Sequence, residues 1–164
     1  IASTNVNDVV PEYLIKGNFN PRPSIATIAN AMDVGDPSNF VRMLDLFGNS
    51  HRDMSAMITG FSFTDEEIRK GIDDGYRKTG YLPDPHGATG YLAARAYREK
   101  NPGCDIIFLE TAHPVNFRDS VEEVTGKKIP VPERLAKYLN REEKSRRLSS
   151  DYKGFRDYLS RFIP

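Results

Sequence analysis

Four polar segments of this sequence carry side chains that could bind a small charged molecule. They are residues 4–8, 31–42, 85–90 and 110–114. The first and the last follow strand-like runs, and ligands of open α/β sheets bind beyond the carboxyl ends of the strands. The third opens a predicted helix with small residues, so a ring or an anion could approach exposed amide groups there. These segments predict a polar site at strand ends.

The candidate side chains in these segments also have ordinary structural interpretations. They are Asn5, Asn7, Asp8, Asn39, Arg42, His86, Thr111 and His113. Asparagine and aspartate often only cap helices, and a threonine at a strand end often only bonds the backbone. A single histidine is usually structural, and a single arginine is usually a surface charge. The residue types alone therefore leave both interpretations open.

Other kinds of site have less support. The three histidines and Cys104 lack the short ligand spacing of a zinc site. The sequence contains no Gly-x-Ser-x-Gly nucleophile elbow, no Gly-x-Gly-x-x-Gly fingerprint and no Walker loop. The residues alone thus indicate an α/β protein with a polar site, without specifying its chemistry.

Helices and a few strands must position these segments. Asn7 or Asp8 is expected to cap a helix that ends at Gly17, and Ser38 one that ends near Gly48. The capping box that starts at Thr64 predicts a helix up to Gly80. Further helices are predicted at 88–100, 119–124, 132–146 and 150–162, and 83–87 is predicted to be a tight loop.

Three strands are predicted, at residues 1–4, 58–63 and 105–109. The run Asp105 to Leu109 is the clearest, because a continuous apolar run is typical of a strand covered on both faces. Strands separated by helices favour an α/β fold with a mainly parallel sheet. The small number of strands suits a part of a larger sheet.

Bulk properties fit an ordinary protein of one domain. The chain has 164 residues, with 23 Lys and Arg against 23 Asp and Glu, so its charge favours neither a nucleic-acid nor a membrane partner. No apolar run approaches a membrane span. The single cysteine, Cys104, excludes an internal disulfide and favours the cytoplasm. Since the chain starts at Ile1 without a methionine, we expect it to be a fragment.

Taken together and in order, the polar segments resemble threonine synthases of the bacterial and fungal type. The motifs are Thr-Asn-Val-Asn-Asp at 4–8, Ala-Met-Asp-Val at 31–34 with Pro-Ser-Asn at 37–39, Pro-His at 85–86 and Thr-Ala-His-Pro at 111–114. Each motif is weak alone, whereas the ordered set is strong. The resemblance covers residues 1 to about 140.

The resemblance implies a fold and an activity. The fold would be part of a mainly parallel three-layer α/β sheet of the tryptophan synthase β-like kind, pyridoxal phosphate fold type II, with carboxy-terminal helices. Residues 1–126 would belong to the catalytic region, and 127–164 would be a helical extension. The intact enzyme would convert O-phospho-L-homoserine and water to L-threonine and phosphate with pyridoxal 5'-phosphate. None of the nine lysines stands in the Schiff-base motif, so we expect the fragment alone to be inactive.

The resemblance also implies roles for single residues. Thr111 would meet the pyridine nitrogen of the cofactor, and a neutral hydroxyl there tempers carbanion character. His86 and His113 would line the ring edge or the substrate entrance. The substrate would be bound by Asn5, Asn7, Asp8, Asn39 and Arg42, the last two being candidates for its phosphate group.

One departure from the family pattern concerns the final loop. The family often has His-Pro-x-Lys-Phe there, whereas this chain has Asn116 in place of the lysine. The change removes a positive charge near an expected anion site. Two alternatives stay open: a non-catalytic module that retains the fold, which Asn116 supports, and another lyase or synthase of the same fold type, against which the Asn-Asp and Ala-Met-Asp-Val motifs argue. The partner expected in the leading interpretation is the amino-terminal part of the same enzyme.

Overall fold

The structure, a computed structural model, describes residues 1–139, 141–142 and 144–162, with the side chain of residue 139 excepted. It divides into two compact units, Ile1–Pro130 and Val131–Pro164. The first unit contains the helices α1 (Val9–Lys16), α2 (Phe40–Leu46), α3 (His51–Met57), α4 (Asp65–Thr79), α5 (Pro85–Lys100) and α6 (Arg118–Thr125). Two 3-10 turns, Asn30–Met32 and Pro114–Phe117, belong to the same unit.

Two short strands make the sheet of the first unit. β1 (Ala2–Thr4) pairs in parallel with β2 (Gly60–Ser62), and Ser3 lies opposite Phe61. Parallel neighbours need a long crossover, and the segment from α1 to α3 provides it. The two strands predicted near residues 1–4 and 58–63 are thus confirmed, as is the α/β class.

The strand predicted over 105–109 is wrong for this chain. Within the described residues, this segment is extended but pairs with no strand. Its alternate apolar side chains are open to solvent, with Ile107 91% and Leu109 80% exposed, whereas Ile106 and Phe108 are partly buried. An apolar run becomes a buried strand only when neighbouring strands take up its amide and carbonyl groups, and the described part of this chain supplies none at this place.

Helix ends follow local chemistry closely. Thr64 and Glu67 form the predicted capping box of α4, whose end at Gly80 has a left-handed φ of +74°. Helix α5 starts three residues earlier than predicted, at Pro85 instead of Ala88. Asp84 caps it by accepting from the amide of His86, and proline is well suited to a first helical position. The predicted loop at 83–87 is therefore partly helix.

Two apolar clusters hold the first unit together. One joins α4, α5 and α6, and its buried members are Ala29, Ile68, Ile72, Ala88, Val121 and Ile129. The other lies under α1, α2 and α3, with Tyr13, Leu14, Phe40 and Met54 buried. Helices α4 and α5 pack closely at Gly71, where an added Cβ would lie 2.9 Å from Cγ of Leu92. Close packing on α4 therefore fixes the position of α5, whose first turn carries His86.

The second unit contains two helices, α7 (Glu133–Leu139) and α8 (Tyr152–Leu159). Both are shorter than the helices predicted at 132–146 and 150–162, and positions 140 and 143 lie outside the described residues. Asp151 caps α8 by accepting from the amide of Gly154. In the described part of the chain, no helix is both long enough and apolar enough to cross a membrane.

Candidate functional site

A cavity of about 390 Å³ runs along the first half of α5 and beside β1. The side chains of Ser3, His86, Thr89 and Thr111 supply its polar lining. The apolar part of the lining is formed by Ile1, Met32, Ala94 and the segment 106–109. His86 and Thr111, two of the three residues predicted to meet a cofactor, thus line the same cavity although they lie 25 positions apart in the sequence.

His86 is fixed by contacts on both ring nitrogens. Its Nε2 accepts a hydrogen bond from the amide of Ala31 at 3.1 Å, and its Nδ1 lies 2.8 Å from Oδ1 of Asp84. Because an amide can only donate, Nε2 must carry the lone pair, and Nδ1–H donates to the carboxylate. The ring also packs on Phe117, with centroids 4.7 Å apart. His86 is therefore a neutral ring that joins the 31–34 loop to the start of α5.

Thr111 and His113 take different positions in the same loop. Thr111 is exposed and lines the cavity. His113 is also exposed, but its Nδ1 accepts from the amide of Val115 at 3.1 Å and so caps the 3-10 turn. His113 does not belong to the lining of the cavity with Thr111. Asn116 is exposed on a separate groove that Thr27 and Asp119 also line.

Asn5 and Asn7 are buried inside a hydrogen-bonded network. The Nδ2 of Asn5 donates to Oγ1 of Thr27 at 2.7 Å and to Oδ1 of Asp33 at 2.8 Å. Its Oδ1 accepts from the backbone amide of Asn7 at 2.9 Å. The side chain of Asn7 in turn donates to the carbonyl of Ile25 and accepts from its amide. Asn5 is 0% exposed, and its predicted contact with a substrate stays a prediction.

The other predicted substrate residues lie apart from this network. Asp8 is half-buried and forms an ion pair with Arg22, which also pairs with Glu12. Asn39 is exposed before α2 and lines a neighbouring cavity of about 260 Å³, together with Asn7. Arg42 is exposed on α2 and belongs to neither cavity lining.

The two cavities are adjacent. They share Ser3 and Met32 in their linings. Asn39 and Thr111 therefore line neighbouring cavities, one of which is also lined by Asn7 and the other by His86. Ser3 of β1 and Met32 of the 31–34 loop lie between the two cavities.

Sequence reasoning missed two acidic residues behind the larger cavity, Asp84 and Glu110. Burial and the neighbouring carboxylate of Asp84 raise the pKa of Glu110 to about 8. Burial also raises the pKa of Asp84, but the hydrogen bonds that its Oδ1 accepts from His86 and the proximity of the Glu110 carboxyl outweigh it and bring this pKa below its usual value. The Asp-Pro-His order at 84–86 is a capping signal that could have revealed Asp84. No local signal marks Glu110, because its pairing with Asp84 is a long-range contact.

The cavity is lined by hydroxyl-bearing residues and, in the described part of the chain, by no lysine. Ser3, Thr89 and Thr111 belong to the lining. The hydroxyl of the buried Thr89 donates to the carbonyl of His86 at 2.7 Å and lies 3.3 Å from that of Ser3.

Comparison with known proteins gives a consistent result. The family described as "Threonine synthase, C-terminal" matches residues 87–159. Threonine synthase of Haemophilus influenzae is 38% identical over 160 residues, which cover 97% of this chain and 36% of that protein.

Solved structures agree in fold. The crystal structure of threonine synthase from Escherichia coli matches with a TM-score of 0.86 and 33% identity, over 99% of this chain and 37% of that one. The structure of threonine synthase from Brucella melitensis with bound PLP matches with a TM-score of 0.73 and 25% identity, over 96% of this chain and 39% of that one. The chain thus spans between a third and two fifths of the length of these proteins.

Proposed function

This chain is homologous to the carboxy-terminal part of threonine synthases, and we propose that it forms the corresponding part of such an enzyme. The complete protein would convert O-phospho-L-homoserine and water to L-threonine and phosphate. The observation that carries the proposal is the match to the Escherichia coli enzyme over 99% of the chain with a TM-score of 0.86. The convergence of His86 and Thr111 on one cavity supports it independently.

Pyridoxal phosphate fits the residues of the larger cavity. When bound, this cofactor supplies an electron sink for carbanions next to an amino acid's α-carbon. Thr111 would hold the pyridine nitrogen through a hydroxyl, which does not enforce protonation as a carboxylate would. His86 would form a wall of fixed orientation, because both of its nitrogens already have protein partners.

The predicted substrate-binding residues differ in their burial and contacts, and the roles proposed for them differ accordingly. We assign Asn5 and Asn7 to positioning, since their network holds the 25–34 segment against β1. Asn39 keeps its role as a candidate for the substrate phosphate, because it is exposed and lines the second cavity. Arg42 and His113 are exposed and would act only where the remaining part of the enzyme brings substrate to them. Asp8 serves the ion pair with Arg22.

The remaining two thirds of the enzyme would be the principal partner. The segment 106–109 exposes Ile107 and Leu109, and Ile1 beside it is 52% exposed. Apolar side chains presented together mark an interaction surface, and a neighbouring strand would pair with the free backbone of this segment. That part would also supply the Schiff-base lysine, so the chain alone would be inactive. We further propose a cytoplasmic location, because the chain has a single cysteine and no internal disulfide.

Turnover by the complete protein tests the activity. We expect release of phosphate and formation of threonine from O-phosphohomoserine, and no turnover of O-acetylserine. Turnover of O-acetylserine alone would favour another synthase of the same fold type. If the complete protein turned over neither compound, a non-catalytic module would be favoured. Residues 1–164 with added pyridoxal phosphate should turn over neither substrate, and turnover would contradict the inactivity of the chain alone.

Replacement of Thr111 tests the cofactor contact. Thr111→Val removes the hydroxyl and keeps the shape, so we expect an altered cofactor absorbance and a fall in kcat of about tenfold, the equivalent of one hydrogen bond. Thr111→Ser retains the hydroxyl and is the matched control. Full activity with an unchanged spectrum in Thr111→Val would refute the contact without affecting the assignment of the overall reaction.

A further inference from the structure

Two carboxyl groups are buried together behind the cavity, at the first turn of α5. Both carboxyl oxygens of Glu110 and Oδ2 of Asp84 are buried and have no hydrogen-bond donor among the described residues. The carboxyl of Glu110 lies directly against Gly87, where an added Cβ would be 1.8 Å from Oε1. Glycine at this position is therefore what allows the carboxyl of Glu110 to enter the first turn of the helix.

Two neighbouring carboxylates without a cation would repel each other strongly in a buried place. One proton removes the difficulty, because a protonated carboxyl can donate to the other. Asp84 is the better anion of the two. Its Oδ1 accepts from the amide and from Nδ1 of His86, each at 2.8 Å, and it lies at a helix amino terminus, where negative charge is stabilised.

We propose that Glu110 is a positioning residue that stays protonated near neutral pH and donates a hydrogen bond to Oδ2 of Asp84. This acid pair links the chain just before Thr111 to the cap of α5. Through Asp84 it holds His86 in the form with a proton on Nδ1, and His86 holds the 31–34 loop through the amide of Ala31. The proton shared by Glu110 and Asp84 therefore helps to hold the Thr111 loop, the start of α5 and the 31–34 loop in place around the cavity.

The titratable groups that face the pair fit this arrangement. Burial and Asp84 raise the pKa of Glu110 to about 8. Burial raises the pKa of Tyr81 as well, and the charges of Glu110 and Asp84 add to this rise. His86 is the remaining titratable neighbour, and it donates to Asp84. The named neighbours of the pair thus include no lysine or arginine that would favour ionisation of Glu110.

The sign of the pH effect follows from the raised pKa of Glu110. The folded chain binds the proton more tightly than the unfolded chain, so the contribution to stability is complete below the ordinary glutamate pKa of 4.5. It is lost as the pH rises through about 8. Ionisation above that pH places a second negative charge next to Asp84, and we expect it to break the link between α5 and the Thr111 loop.

Carbon-detected NMR titration and thermal unfolding of the full chain test the proposal. The side-chain carboxyl carbon of Glu110 should titrate with a midpoint near 8, and nitrogen-15 spectra should show neutral His86 with the proton on Nδ1. The Tm of the wild-type chain should fall between pH 6.5 and 9. Glu110→Gln keeps a donor at every pH, so its Tm should hardly change over that range. Glu99→Gln, at an exposed position on α5, is the control and should follow the wild type.

Gly87→Ala gives a second test that does not change either acid. Its Cβ would displace the carboxyl of Glu110, so the Tm should be lower at pH 6.5 and nearly independent of pH up to 9. Titration of Glu110 at an ordinary glutamate pKa, or equal pH profiles for wild type and Glu110→Gln, would overturn the proposal. The proposal rests on the proposed function only in treating the cavity as a cofactor site. Cofactor binding does not enter these measurements, so the two can fail separately.

Discussion

Replacing Asn5 by alanine should strongly destabilise the first unit. Asn5 is fully buried, and its side chain donates to Thr27, Asp33 and the carbonyl of Ala29. Its Oδ1 is the hydrogen-bond acceptor for the buried backbone amide of Asn7. Asn5→Ala removes all of these bonds together and adds no group that could replace them.

The magnitude follows from the groups left without partners. The amide of Asn7 would lose its acceptor, at a cost of about 1–3 kcal/mol for a buried group. Loss of the bond to the carboxyl of Asp33 adds roughly 1.5–3 kcal/mol if that group is ionised. The total loss in the free energy of unfolding is therefore about 4 kcal/mol, or about 10 °C in Tm for a chain of this size.

Chemical unfolding in urea, followed by circular dichroism, measures this loss. Asn39→Ala is the matched control, because Asn39 is exposed and its side chain makes no cap hydrogen bond to α2. The control should change the free energy of unfolding by no more than about 0.5 kcal/mol. A loss below about 1 kcal/mol for Asn5→Ala, or equal losses for both variants, would refute the positioning role of the network.

Two further predictions concern helix packing and the exposed apolar segment. Gly71→Ala should lower the free energy of unfolding by about 1–3 kcal/mol, because its Cβ would lie 2.9 Å from Leu92. Gly75→Ala should instead raise the free energy of unfolding by about 0.5–1 kcal/mol, since its Cβ meets neighbours only at 3.5 Å and glycine is unfavourable within a helix. Urea unfolding that ranks the two variants in the opposite order would contradict the packing of α4 on α5. Ile107→Ser should leave the chain within about 0.5 kcal/mol of wild type but weaken its association with the rest of the enzyme, measured by co-purification. Unchanged association would show that Ile107 is not part of that contact.

The sequence predicted those features that depend on near neighbours in the chain. The capping box at Thr64 and the glycine ends of α1, α4 and α6 were all predictable, because a cap is a contact between residues a few positions apart. The start of α5 was placed too late, since Pro85 was treated as part of a loop although it also suits a first helical turn. The resemblance of ordered motifs also pointed to threonine synthases, a likeness that the comparisons bear out.

The positions of the site residues depended on tertiary contacts instead. The sequence grouped Asn5, Thr111 and His86 as ligand-binding residues, whereas folding buries Asn5 in a network and leaves Thr111 exposed in the cavity. The apolar pattern at 105–109 predicted a buried strand, yet the described part of the chain offers it no strand partner and Ile107 stays exposed.

Sequence by itself determined where most helices lie, the capping box of α4, the glycine ends of α1, α4 and α6, and the kind of protein this chain resembles. Only the tertiary structure decided which polar groups bind other parts of the chain and which remain free for a ligand. Glu110 is the clearest case, since it meets Asp84 across a separation of 26 positions and the two acids share an environment that neither local sequence contains. Burial and the charge of a distant residue, and not residue type, set its protonation.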